Sequence, residues 1–424
     1  MTTGFLALII LSVILAQVAV VVLIGLYRRR RQYRNLDERR NEAQALLEPH
    51  APEPYAAQPA THDLSWQGYR EFTVQGREFE DGNRSICSFY LVPVDGKPLP
   101  AFRPGQFLTF RLSVEGSAGQ KPKTVVRCYS LSDAPRLDCY RISIKRIPAP
   151  AGRSDAPPGL SSSFFLDHVK ENSRLLVKAP SGHFHLMEDE PLPIVLIGGG
   201  IGITPMLSIL NTMLEGEKNR EVWLYYGVRN GDEHIMKEHL QTLAKEHDNF
   251  HLHVCYSAPN ENDQVGVDYQ HDGRVDIPLL RTTLKLMRYQ FYVCGPRPMM
   301  ESLVPGLDDW GVDSDDIYYE SFGPASLIKH EKAPLSTTTL PINVTFSQSD
   351  KIIPWDPAAD SLLEFAEAND IEVESGCRAG SCGSCQTAMQ TGEIDYNQEP
   401  DANVVPGHCL LCISTPKSDL TLDA

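Results

Sequence analysis

Apolar and polar positions change rhythm several times along the chain. Residues 5–26 are apolar apart from Ser12, Gln17 and Gly25, a run long enough to span a bilayer. No Lys or Arg precedes it, and Arg28, Arg29, Arg30 and Arg31 follow it. That is the reverse of a cleaved signal peptide. Residues 1–27 are therefore expected as a single transmembrane helix in the cytoplasmic membrane, N-terminus outside and the remainder in the cytoplasm. Residues 28–65 hold no period and read as a basic stub and flexible linker. Across 66–188 short alternating runs (70–74, 85–92, 106–112, 140–144, 174–177) are punctuated by Gly and Pro, which predicts an antiparallel β-barrel. From 189 to 325 the texture is continuous apolar runs (194–197, 221–228, 251–256, 290–294) separated by helical spacing. Helices are expected from Thr204 and over 234–246 and 275–286, with a last strand at 315–322. This is an α/β pattern with a parallel sheet. Residues 326–340 form a polar linker. Residues 341–424 begin with a hairpin pattern at 342–346 and 351–353, followed by an amphipathic helix over 361–368.

Composition changes this picture little. The 424 residues are 42% hydrophobic and 22% charged, ordinary for domains with their own cores. Net charge is −16; residues 1–48 carry seven Arg against four acids, so the rest of the chain stands at −19. A body this acidic excludes nucleic-acid binding through its bulk field and suits a basic protein partner. Cys87, Cys128, Cys139, Cys255, Cys294 and Cys409 are scattered, as in a reducing compartment.

The chemistry concentrates near the C-terminus. Cys377, Cys382 and Cys385 are spaced C-x4-C-x2-C, with Cys409 and Cys412 following. Four thiolates in this layout suit a plant-type [2Fe–2S] cluster; zinc sites more often come as two separated CxxC pairs. A one-electron centre needs an upstream donor, and three further stretches qualify. In Arg127-Cys-Tyr-Ser130 a cation, an aromatic ring and a hydroxyl share a strand end. In Gly159-Leu160-Ser161-Ser162 a helix opens with free N–H groups suited to a phosphate. In the run from Gly198 to Pro205 a buried strand passes through a Gly-rich turn into a helix, with Thr204 as N-cap and Pro205 at N1, an arrangement that admits a pyrophosphate. Cys294-Gly295-Pro296 ends another strand at the same sheet edge, and Arg229 follows the second strand, where a nucleotide ribose is read.

RxYS, GGGIGITP, CGPRPM and GCRAGSCGSC occur in one order over residues 66–424. In this the chain resembles the ferredoxin–NADP reductase superfamily fused to a plant-type ferredoxin, in the domain order of phthalate dioxygenase reductase and the hybrid-cluster-protein reductases. The resemblance implies a flavin barrel, a nucleotide domain and an α+β (β-grasp) ferredoxin domain. It implies that Arg127 binds flavin phosphate, Tyr129 packs on the ring and Ser130 lies near N5, with Gly159, Leu160, Ser161 and Ser162 on the pyrophosphate. Gly199, Gly200, Gly202, Thr204, Pro205, Arg229, Cys294, Gly295 and Pro296 would serve the nicotinamide nucleotide. Glu320 and Phe322 would close over the flavin. Ser130, Cys294 and Glu320 are thus the expected catalytic residues, and Cys377, Cys382, Cys385 and Cys412 the cluster ligands. FAD is favoured over FMN, and NADH over NADPH because Arg229 lacks basic neighbours. The expected activity is a membrane-anchored NAD(P)H reductase feeding a protein acceptor such as a membrane-associated oxygenase or desaturase. The rivals are a respiratory NADH–quinone reductase component and a non-catalytic redox sensor or carrier.

Overall fold

The computed structural model describes residues 66–114, 123–149, 158–187, 190–216, 220–322, 342–400 and 402–424. The expected membrane helix, basic stub, leading linker and the linker at 326–340 lie outside these residues. Among the described residues no helix is long and apolar enough to cross a membrane. Their longest helices have 13 residues, about 20 Å at the α-helical rise and well short of a hydrocarbon core. The expected single-pass placement in the cytoplasmic membrane is corrected accordingly.

Alternation in the first described stretch produces six antiparallel strands: β1 (Arg70–Phe79), β2 (Ile86–Pro93), β3 (Phe107–Val114), β4 (Lys123–Ser130), β5 (Tyr140–Lys145) and β6 (Arg174–Ser181). They hydrogen-bond in the order β4-β3-β6-β1-β2-β5. The sheet curls until Leu131, just past β4, bridges Ile142 on β5, which closes the barrel. Inward residues such as Leu108, Phe110 and Leu112 join Phe72, Phe89 and Val177 in one core, sealed by Phe165 and Leu166 of α1 (Leu160–His168).

Continuous apolar runs give the second sheet, because strands covered on both faces have no polar side to show. Its strands are β7 (Ile194–Gly199), β8 (Val222–Val228), β9 (Phe250–Tyr256), β10 (His271–Asp272), β11 (Gln290–Gly295) and β12 (Ile317–Ser321). All run parallel in the order β10-β9-β8-β7-β11-β12. Helices α2 (Ile203–Glu215), α3 (Lys237–Glu246), α4 (Ile277–Thr283) and α5 (Arg297–Asp309) pack on it. The expected helices at 234–246 and 275–286 are shorter. Met236 sits in the left-handed region at φ 57° ahead of α3, and Asp276 caps α4 by accepting from the Leu279 N–H. Barrel and parallel sheet are joined through α2, where Ser208 donates to the Asp133 carbonyl at 2.9 Å and Asn211 to its carboxylate at 2.7 Å.

The last unit is a five-stranded mixed sheet with a two-stranded one. The larger contains β13 (Asn343–Phe346), β14 (Lys351–Pro354), β15 (Gln386–Thr391), β17 (His408–Leu410) and β19 (Leu420–Leu422), while β16 (Ile394–Tyr396) pairs with β18 (Ser414–Pro416). Helix α6 (Leu362–Ala368) is capped by Ser361, whose hydroxyl accepts from Glu364 N. Leu362, Phe365 and Ala366 face Val344, Phe346 and Ile413 in the core.

Candidate functional site

The carboxyl edge of the parallel sheet faces the mouth of the barrel. Register places Cys294 beside Gly198 on one side and Glu320 on the other. The Gly-rich turn nests against the loop after β11 so closely that a Cβ on Gly202 would lie 2.2 Å from the Cys294 carbonyl oxygen. Backbone meets backbone there, and only glycine fits. Gly200 takes φ +54° in the same turn. Met299 and Pro296 press on Gly199 from the opposite loop. The helix begins two residues earlier than expected: Gly202 occupies the N-cap position, and the Thr204 hydroxyl donates back to Ile201 O at 2.9 Å. Thr204 is therefore not the N-cap, and it and Pro205 are buried in the first turn. Gly295 is buried and Pro296 exposed at the lip.

From the barrel, Ser130 at the end of β4 reaches Glu320 Oε2 at 3.4 Å. Burial pushes the Glu320 carboxyl up to about 8, partly offset by the Ser130 hydroxyl, and burial also drives the Cys294 thiol well above its ordinary range. At neutral pH this seam holds two protonated groups beside one hydroxyl.

Arg127 is exposed and bonds its neighbour's carbonyl, Val126 O, at 2.7 Å. Tyr129 lies against Phe110 and Phe165, and its hydroxyl is 2.7 Å from Ser161 Oγ. Ser162 Oγ donates to Gly159 O and accepts from Ile147 N, both at 3.1 Å. Ser161 and Ser162 thus close the helix mouth internally, while Leu160 is exposed. Ser163, outside that motif, carries a buried hydroxyl with no hydrogen-bond partner among the described residues. An unsatisfied donor in a helical first turn suits a phosphate oxygen. Phe322 extends past β12, exposed, and Arg229 is exposed beyond β8.

In the C-terminal unit the thiols stand in pairs. Cys377 N points at Cys382 Sγ (3.2 Å) and Cys382 N at Cys377 Sγ (3.3 Å); Cys385 Sγ and Cys412 Sγ are 3.1 Å apart. Among the described residues no three metal-binding side chains converge on one point. A two-iron cluster asks for this arrangement, since each iron takes two thiolates. Cys409 faces instead into the core, where burial raises its thiol to about 12. Within the pairs, Cys382 is held below the usual thiol range by hydrogen bonds from Cys128 and Cys377, and Cys385 by one from Cys412.

Residues 196–304 match the model of the oxidoreductase NAD-binding domain, and residues 344–417 that of the 2Fe-2S iron-sulfur cluster binding domain. The flavohem-like FAD/NAD-binding domain of nitric oxide dioxygenase from Vibrio cholerae O1 biovar El Tor is 31% identical; the match covers 61% of this chain and all of that one, with a TM-score of 0.52. The chain belongs to the ferredoxin–NADP reductase superfamily. To that reductase it adds a [2Fe–2S] domain on the C-terminal side. The flavohemoprotein of Bacillus thuringiensis subsp. konkukian is 40% identical over 264 residues, 62% of this chain and 63% of that protein. The chain thus spans under two thirds of the length of the curated relatives it matches. Phthalate dioxygenase reductase is 27% identical over 84% of this chain and 98% of that one, with a TM-score of 0.49. Its two matched segments are thus an oxidoreductase NAD-binding domain followed by a 2Fe-2S cluster-binding domain.

Proposed function

We propose that this reductase transfers electrons from NADH through FAD to its [2Fe–2S] cluster and on to a protein acceptor. The observation that carries the reading is the seam: Ser130 from the barrel, and Glu320 and Cys294 from the parallel sheet, meet at the edge where two glycine loops interlock. When bound, the flavin supplies acceptance of a hydride and release of single electrons, which nicotinamide and an iron–sulfur cluster respectively require.

The chain's own residues provide position and proton control. Arg127, Ser163 and the α1 N-terminus would hold the flavin phosphates, and Tyr129 and Phe322 its ring. Gly199, Gly200 and Gly202 let backbone approach the nucleotide, with Gly295 and Pro296 opposite. Ser130 and the protonated Glu320 carboxyl would orient the reacting edge, the carboxyl as donor at neutral pH. Cys377 with Cys382, and Cys385 with Cys412, would hold one iron each.

NADH is favoured by charge around Arg229. Asp232 follows it three residues on and accepts from Asn260 at 3.1 Å, and Asp263 accepts from Gly231 N at 3.1 Å, so the segment after Arg229 carries carboxylates, which a 2′-phosphate disfavours. An oxygenase is the proposed acceptor class, since the relative matched over its full length comes from a dioxygenase.

Stopped-flow mixing of the loaded protein with NADH tests the reading. Flavin absorbance should bleach first and cluster absorbance second. Cluster reduction ahead of flavin would sink it, and a kcat/KM ratio favouring NADPH would overturn the nucleotide assignment.

A further inference from the structure

One face of the barrel that should meet solvent is covered. Pairing across three neighbouring strands sets Cys128 on β4, Thr109 on β3 and Lys178 on β6 in one row, with Val126, Arg111 and Leu176 in the next. These side chains point away from the barrel interior, because Tyr129 and Phe110 between them point in. Yet Thr109 is fully buried and Val126 is 3% exposed.

The cover is the cysteine loop. Lys178 Nζ donates to the Cys382 carbonyl at 2.9 Å. Arg111 pairs with Glu374 at 3.1 Å, and the Tyr69 ring lies over both cations, 4.4 Å from Arg111 and 5.4 Å from Lys178. Gly376 packs on Val126, where an added Cβ would lie 3.2 Å from Cγ1. At the centre of the row the Cys128 thiol is 3.4 Å from Thr109 Oγ1, and the Cys382 sulfur lies over the same face, since the Cβ on Gly376 that would meet Val126 would also lie 2.8 Å from that sulfur. Cys128 lies between Arg127 and Tyr129, so the strand that carries the proposed flavin residues also meets the cysteine loop.

We infer that Cys128 is a positioning residue for the cluster: its thiol donates a hydrogen bond to the Cys382 sulfur, and the Thr109–Cys128–Lys178 row seats that ligand against the flavin-binding strand. This rests on the cluster and flavin assignments proposed above. A donor to a ligand sulfur draws charge from it and favours the reduced, more negative cluster. The seat also fixes which pair of ligands lies nearest the flavin, the Cys377–Cys382 pair.

The test is a redox titration of the intact, loaded protein, following the cluster by electron paramagnetic resonance. Cys128→Ala should shift the electron distribution about three- to tenfold away from the cluster, the worth of one modest hydrogen bond, and alter the resonance g-values. Cys128→Ser keeps a donor and should restore most of both. An unchanged midpoint and spectrum in Cys128→Ala, or a serine variant no closer to the parent than the alanine one, would overturn the donor role. A second variant, Lys178→Met, should raise hydrogen exchange of loop 376–384 about tenfold, and unchanged exchange would overturn the seat. Failure of the underlying cluster assignment would show differently, as a parent protein without iron or resonance signal.

Discussion

The cysteine loop and the barrel–nucleotide seam are both enclosed, and they treat negative charge in opposite ways. In the loop, backbone N–H groups of Cys377, Ala379 and Cys382 aim at sulfur, and one thiol in each pair is driven toward thiolate by hydrogen bonds from neighbouring thiols. In the seam, the Glu320 carboxyl is desolvated with Ser130 as its side-chain donor, and its pKa climbs to about 8. Burial alone decides nothing; the number of donors delivered to the buried group does. One region is built to hold anions for a metal, the other to keep a proton near neutral pH.

The largest expected effect falls on the anion-holding side. Cys385→Ala removes half of one thiol pair, and we expect iron content and visible cluster absorbance to fall to background while flavin is retained. Two irons per chain in that variant would show that the loop is not the cluster site. Next comes the interlocked turn that builds the seam. Gly202→Ala places a methyl 2.2 Å from the Cys294 carbonyl oxygen, with only backbone available to yield. We expect a loss of about 2–3 kcal/mol in stability and a raised KM for NADH. Denaturant midpoints and steady-state kinetics measure the two.

The proton-holding side gives a pH signature. Glu320 binds its proton more tightly in the folded chain than at its ordinary value of 4.5. Its contribution to stability is therefore fully present below about 4.5 and is lost as pH rises through about 8. Glu320→Gln should remove that slope from a stability–pH profile. Glu320→Ala should slow NADH-driven flavin reduction about tenfold or more, and the parent rate should decline as pH passes about 8. A rate flat across that range would mean the carboxyl proton plays no part.

The two regions also differ in how legible they were before any coordinates. Cys377, Cys382 and Cys385 lie in one short stretch, so spacing alone announces them, and the apolar alternation around them sets a sheet. Ser130 and Glu320 are 190 positions apart, and no local pattern joins them; family resemblance alone placed both at one flavin. Helix starts depart from the sequence pattern where a backbone contact outranks side-chain propensity. Thr204 looks like a cap, but the close approach at Gly202 decides where the helix begins. Ser163 does not stand out in the sequence because Ser161 and Ser162 precede it with the same chemistry, and only the fold shows that those two are tied to Tyr129 and Ile147. Cys128 and Lys178 carried no signal: one fills a variable motif position, the other sits on an ordinary amphipathic strand.

The smallest expected effect separates the outlet from the inlet. Arg378 and Ser381 lie between Cys377 and Cys382 in the chain, where an outlet rim is to be expected. Ser381 is 6% exposed and cannot offer a rim, whereas Arg378, at φ +58°, remains partly accessible while pairing with Glu367 through both guanidinium nitrogens. Arg378→Glu breaks that pair, at a cost of about 1 kcal/mol or less for an accessible bridge. It also deepens the negative field of a chain already at −16. Electron delivery to a basic acceptor such as cytochrome c should then quicken about two- to threefold at low salt and return to the parent rate at high salt. NADH-driven flavin bleaching, which depends on the enclosed seam, should not follow. A change in bleaching of equal size, or a salt-independent change in delivery, would mean that Arg378 acts through the fold of the loop, and the contrast between an outward-facing cluster region and a sealed seam would fail at that point.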